Sequence, residues 1–294
     1  VGMNALTAQN MTTATDALNT AVGHAAGAAV TTGVNNTLLG GLAGDAITSS
    51  SNNVAVGTEA LTSNTLGNRN VAVGRQALNS MNVTSPTDTF NVAVGDKAGL
   101  SVTTGIQNVL VGGLAGDALT DADFNVALGY GALTADTLGS MSVAVGYTAL
   151  GTQNMTTATN ALNVAVGQAA ASAVTTGIKN TIVGSLAGDA LTDADENTVV
   201  GQEALSTDTL GSKSTAIGRA ALNQQNFTTA TDTYNVAVGY HAGVSVTTGA
   251  SNTLIGGLAG DALTTGNSNV AVGKSALSGD TTGDRSTAIG FQAL

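Results

Sequence analysis

A glycine recurs along the whole chain at a fixed interval. Gly2, Gly23, Gly40, Gly57 and Gly74 lead on to Gly95, Gly112, Gly129 and Gly146, and the series runs through Gly218 to Gly290. One interval of 21 residues is followed by three of 17, so the pattern closes every 72 residues. Four such blocks, approximately 1–72, 73–144, 145–216 and 217–288, account for the chain, with a partial repeat at 289–294. Self-similarity at a period of roughly 20 residues marks a stack of small units, each contacting mainly its neighbours. The chain therefore reads as a single continuous array, 1–294, of about 17 coils, and one compact globule is excluded.

Each coil can be read from its marker glycine. The residue three before it is Val or Thr, as in Val54, Val71, Thr181 and Thr287, and the residue just before it is Val, Leu or Ile. Between them sits Ala in most coils, for example Ala55, Ala72 and Ala93. β-Branched residues on either side of a small one make a period-two strand pattern, with the pair facing one side and the Ala the other. An Ala follows three residues after every marker, from Ala5 to Ala293. A second run then appears, such as 29–32 or 63–66, closed by Gly33, Gly67, Gly105 or Gly139. These glycines suit a turn that needs positive φ. The expected coil is strand, bend, strand, turn, which leaves no room for a helix and gives an all-β parallel β-solenoid or β-roll.

Two columns set the register. Asn lies four residues before most markers, at Asn36, Asn53, Asn70, Asn108, Asn125, Asn180, Asn197, Asn252 and Asn269 among others, with Ser at 142, 214 and 286. Stacked coils place such amides roughly 4.8 Å apart, close enough for a hydrogen-bonded ladder. Thr forms a second file at Thr31, Thr65, Thr103, Thr120 and Thr137. The third coil of each block carries a larger residue in its strand, at Leu38, Leu110, Ile182 and Leu254. The first coil is four residues longer and runs through Asn-Met-Thr-Thr-Ala-Thr at 10–15, with counterparts beginning at Asn82, Asn154 and Asn226. Extra residues in a regular coil bulge outward, so Met11, Val83, Met155 and Phe227 are the candidate exposed loop contacts.

Composition narrows the function. The net charge is −11 from 8 basic and 19 acidic residues, spread without runs. That argues against nucleic acid and anionic membranes, which require clustered Lys or Arg. Cysteine is absent, so disulfides and thiolate metal sites are unavailable. No stretch approaches the roughly 20 apolar residues of a membrane span, so membrane insertion by this segment is not expected. The chain opens at Val1-Gly2, inside a repeat, and reads as a segment of something longer.

Asn-Val-Ala-Val-Gly at 53–57, 91–95, 163–167 and 235–239 resembles the head repeat of trimeric autotransporter adhesins. The longer phrase at 53–67 resembles repeats of phage tail fibres that stand upstream of intramolecular chaperone domains. The resemblance implies a left-handed parallel β-roll, three chains associated side by side into a rod, and an extracellular place on a cell surface or virion appendage. A thin coil filled by Val and Ala buries little apolar surface, and an Ala face is small enough for another chain to approach closely. Packing that face against two further copies would supply the missing core. The expected partners are thus the chain itself, as a homotrimer, and host-cell or matrix surface ligands.

Chemistry has little to stand on. His24 and His241 are the only histidines and lie far apart in the array, so no catalytic or metal pair is expected, and no catalytic triad can be placed. The chain is read as non-enzymatic and without a cofactor. Gly40-Gly41-Leu42-Ala43-Gly44-Asp45 is near a calcium-binding nonapeptide, which raises calcium at Asp45, Asp117, Asp189 and Asp261, or at Asp121 and Asp123. Solvated turn acids are the plainer reading. Asn10, Asn82, Asn154 and Asn226 each begin Asn-x-Thr, the acceptor triplet for glycosylation. The reading is a structural segment of a homotrimeric fibre, an adhesin stalk or head or a tail-fibre shaft, that extends and presents a surface-attachment function. The alternative is a solenoid that binds ice or a crystal surface through its Thr ladder.

Overall fold

A computed structural model describes residues 1–12 and 16–294. The protein is a parallel β-solenoid of about 16 turns, with no helix among the described residues. It divides into two units, residues 1–142 with 154–159 and residues 143–153 with 160–294. In the first, strands Thr20–Val22, Thr37–Leu39, Val54–Val56, Val71–Val73, Val92–Val94, Val109–Val111 and Val126–Leu128 pair in parallel, in that order. In the second, Val143–Val145, Val164–Val166, Thr181–Val183, Thr198–Val200, Thr215–Ile217, Val236–Val238, Thr253–Ile255, Val270–Val272 and Thr287–Ile289 do the same. Every pairing joins equivalent positions of consecutive coils. Gly2 has only Val1 before it, so the expected count of 17 coils drops to about 16.

The side of the strand that faces inward is the reverse of the one assigned to a partner. Ala55, Ala72 and Ala93 have 0% of their surface exposed, while the flanking valines are half-buried and face outward. The Ala face lines the chain's own interior, and the larger residues that replace Ala at this position, Leu38, Leu110, Ile182 and Val199, are equally buried there. Ala60, Ala77 and Ala98 close the opposite wall and are equally buried.

Volume inside each coil is balanced between two positions. In the coils of Ala55 and Ala72 a buried Leu four residues past the marker fills the space, Leu61 and Leu78. Where the strand offers Leu38 or Leu110, that second position is glycine. A Cβ on Gly44 would sit 2.8 Å from both Leu38 and Ile47, and one on Gly116 2.8 Å from both Leu110 and Leu119. Close packing leaves room for one large side chain and no more.

The expected second strand does not form. Residues two and four past each marker take left-handed backbone angles even though most are not glycine, for example Glu59 at 58° and Leu61 at 55°. The chain therefore bends at alternate residues instead of extending. Its amides still reach the next coil, from Leu61 N to Ala77 O at 2.9 Å and from Ser63 N to Asn79 O at 3.0 Å. Regular pairing on this side is limited to two-residue strands at the long coil, where Gly67–Asn68 pairs with Thr87–Asp88 and Gly211–Ser212 with Thr231–Asp232.

The turn glycines also serve a different purpose from the one expected. Gly33, Gly67, Gly105 and Gly139 have no positive φ. A Cβ on Gly33 or Gly105 would overlap the carbonyl oxygen of Ser50 or Ala122 in the next coil. Close approach demands glycine there. The marker glycines need both properties: Gly57 has φ 135° and its Cβ would overlap the carbonyl of Gly74.

Candidate functional site

The Asn column is fully internal. Asn53 donates from its backbone N–H to Asn36 Oδ1 at 3.0 Å and from Nδ2 to the same oxygen at 3.2 Å. Asn70 repeats this on Asn53 at 2.9 and 3.2 Å, and Asn108 on Asn91 at 2.9 and 3.2 Å. In the second unit Asn180, Asn197, Asn252 and Asn269 each donate a backbone N–H to the preceding Asn, at 2.9 to 3.0 Å. Nδ2 also reaches a carbonyl 14 residues onward, from Asn36 to Ser50, Asn108 to Ala122, Asn125 to Gly139 and Asn252 to Gly266. One side chain thus joins two coils and closes a turn. With the backbone N–H, Oδ1 and Nδ2 all engaged, these buried amides are scaffold.

Before the long coil the ladder changes partners. Ser214 Oγ pairs with Thr233 Oγ1 at 2.6 Å and accepts from Gln225 Nε2 at 2.9 Å. Gln225 Oε1 takes Asn235 Nδ2 at 2.8 Å, and Gln225 Nε2 also donates to Asp208 at 2.5 Å. Asp208 is buried without a cation, held also by the N–H groups of Gly211 and Phe227 at 3.1 and 2.9 Å. At the junction of the first and second blocks Asn64 and Met81 occupy the equivalent places, and Asn70 stands where Ser214 does. The acid and the amide change together. The sequence shows this as a paired substitution at 72-residue spacing, a signal that single-coil reading misses.

The loop contacts require correction. Val83, Met155 and Phe227 are buried, at 6%, 3% and 8% exposure, and Met11 is half-buried. The long coil does bulge, but its apolar residue turns inward over the solenoid because the polar residues on either side can be hydrated and it cannot. Residues 13–15, part of the same loop in the first block, lie outside the described residues.

Acidic residues are dispersed along the stack. Asp45, Asp117, Asp189 and Asp261 occur once per 72-residue block. Burial, reinforced by Glu59 on the next coil, pushes the Asp45 carboxyl above its ordinary 3.8, and burial with Glu203 does the same at Asp189. One oxygen each of Asp45, Asp189 and Asp261 is buried without a hydrogen bond, whereas Asp117 accepts from Thr134 Oγ1 at 2.5 Å. Asp121 accepts from Thr104 Oγ1 at 2.5 Å and Asp123 from Ile106 N at 2.8 Å. Asp193 and Asp195 are engaged in the same way. Among the described residues no three or more acidic or His side chains gather to hold a metal ion.

What the molecule offers outward is the other face of its sheet. In both units that face consists of Val, Ile, Leu and Thr without a charged residue, from Thr20 and Val22 to Thr287 and Ile289. Longer side chains flank it. Phe90 and Phe124 in the first unit, and Leu162 and Tyr234 in the second, stand exposed just before their strands, with Arg69 over the Phe90 ring and Lys213 over Tyr234, each at 5.5 Å. Tyr147 and Tyr240 lie exposed just past theirs in the second unit. Ion pairs run from coil to coil along the edges, Arg69 to Asp88 at 3.0 Å, Arg75 to Asp96 at 2.9 Å and Lys213 to Asp232 at 2.5 Å. Their mutual hydrogen bond raises the Lys213 pKa and lowers that of Asp232. His24 is exposed, and His241 stacks on Tyr240 at 4.0 Å with Arg219 3.2 Å from its Nε2.

The Thr file is likewise committed to the scaffold. Thr31, Thr48, Thr103, Thr120, Thr192 and Thr247 donate their hydroxyls to a carbonyl of the next coil. No pocket is present among the described residues. No family model matches the chain, and no curated protein matches it.

Proposed function

We propose that the chain is a structural, non-enzymatic segment of an extracellular homotrimeric fibre, an adhesin stalk or head or a tail-fibre shaft that extends and presents an attachment function. The observation that carries this reading is the uncharged aliphatic face of the sheet in a chain of net charge −11. Like-charged copies associate most readily through the one long surface that carries no charge, and burying half-exposed Val and Ile there is worth about 25 cal/mol per Å². The partner surface is therefore the valine face, with the flanking aromatic residues and ion pairs at the rim of the contact. Attachment along the fibre would act by avidity, through many shallow contacts repeated coil by coil and chain by chain.

Light scattering on the purified chain at several dilutions is the test. A mass near three times 28.5 kDa is expected. Val71→Glu combined with Val92→Glu should reduce it to 28.5 kDa with the circular dichroism of the folded coil retained. A stable monomer of the unaltered chain would refute the trimer.

A further inference from the structure

The four long coils share six positions that read Asn-x-Thr, Thr or Ser, Ala or Pro, Thr, and only the first, third and sixth are the same in all four. The structure gives two of these a scaffold task. Asn82, Asn154 and Asn226 accept a hydroxyl hydrogen bond from Thr65, Thr137 and Thr209 of the preceding coil, at 2.7, 3.0 and 3.3 Å. At the sixth position Thr87, Thr159 and Thr231 donate to the carbonyl two residues back, at 3.0, 2.9 and 2.9 Å. The third position has no such task. Thr84, Thr156 and Thr228 are exposed, and their hydroxyls bond to nothing among the described residues. Among the described residues the amide nitrogens of Asn82, Asn154 and Asn226 likewise donate to nothing, although the oxygen of each side chain is held. Between them, buried Val83, Met155 and Phe227 pin the triplet to the solenoid with its amide and hydroxyl outward.

We propose that Asn82, Asn154 and Asn226 are acceptor sites for N-linked glycosylation. An Asn-x-Thr-directed transferase recognises a free side-chain amide together with the hydroxyl two residues on, and both are presented here. The co-substrate is an oligosaccharide activated on a lipid pyrophosphate. The amide nitrogen attacks the anomeric carbon, the N–C bond forms as the C–O bond to pyrophosphate breaks, the pyrophosphate departs with the electron pair, and a base of the transferase takes the amide proton. The chain contains its own control. Asn35-Asn36-Thr37 is the same triplet, but Asn35 Nδ2 donates to Asn52 Oδ1 at 3.3 Å, Asn36 is buried in the ladder, and Thr37 lies in a strand. It is not an acceptor.

The experiment is incubation of the full folded chain with an oligosaccharyltransferase and its lipid-pyrophosphate oligosaccharide, followed by intact mass and peptide mapping. Glycan is expected on Asn82, Asn154 and Asn226, with Asn35 bare. Thr84→Ala, Thr156→Ala and Thr228→Ala together should abolish those three additions while leaving the thermal midpoint unchanged, since these hydroxyls support nothing. Equal modification of Asn35 in the folded chain, or bare Asn82, Asn154 and Asn226, would overturn the proposal. Neither result bears on the trimer, which is measured separately.

Discussion

At the scale of single residues the fold rests on places where only one side chain fits. Gly74 has φ 135° and its Cβ would overlap the carbonyl oxygen of Gly95. Gly74→Ala should therefore cost about 4 kcal/mol or more in denaturant melts, combining backbone strain with a clash. Gly41, beside the marker Gly40, has nothing within 4 Å of a built Cβ and no positive φ, so Gly41→Ala should change the midpoint little. Asn108→Ala leaves the Asn125 N–H and the Ala122 carbonyl without their buried partners, and a loss of about 3 kcal/mol is expected. Asp45 and Asp189 behave in the opposite sense to most acids. Their raised folded pKa values mean that the folded state holds protons the unfolded chain has released. Stability from these groups is thus present at low pH and is lost as pH rises from 3.8 through the folded pKa. Asp45→Asn with Asp189→Asn should raise the thermal midpoint at pH 7 and leave it nearly unchanged at the acid end. An equal shift at both pH values would contradict this.

At the scale of the element, the coil shows what a sequence does and does not disclose. The three-residue strand, its parallel register and the Asn column are legible, because β-branched alternation and a fixed interval impose them. The inward face was not legible. Alternation tells that two faces differ without saying which is interior, and a small residue suits a close partner as well as a narrow lumen. Left-handed angles at Leu61 and Leu78 were hidden too, since Leu pays about 1–2 kcal/mol to adopt them. Hydrogen bonds to the next coil and complete burial offset that cost. The inward turn of Val83, Met155 and Phe227 had a signal that went unused, an apolar residue held in place by polar neighbours. The volume balance gives a direct test. Ala55→Leu should lose about 1–3 kcal/mol by overpacking. Adding Leu61→Gly reproduces the arrangement around Leu38, because Gly44 already stands on the other side, and should restore much of the loss.

At the scale of the whole molecule the chain has one kind of interior and one uncharged outward face, repeated in both units. The interior is satisfied within a single chain: Asn, Thr and glycine columns leave few polar groups unspent, the orphan oxygens of Asp45, Asp189 and Asp261 being exceptions. Self-sufficiency of the coil and the proposed association of the chains are therefore separate properties. Val71→Glu with Val92→Glu is expected to abolish the second and keep the first. Ala55→Leu should weaken the first whatever the state of association. Function was the least legible layer, because a scaffold that spends its polar groups on itself leaves no chemical signature of a ligand.

The column of marker glycines also bears on how such a gene can change in length. Each glycine leaves a gap that the carbonyl of its successor occupies, so a copying slip that removes part of a coil slides a bulky side chain into that gap, whereas a slip of one full coil restores the match. Viable length variants should differ by whole coils, each adding one strand at the spacing of roughly 4.8 Å between neighbours.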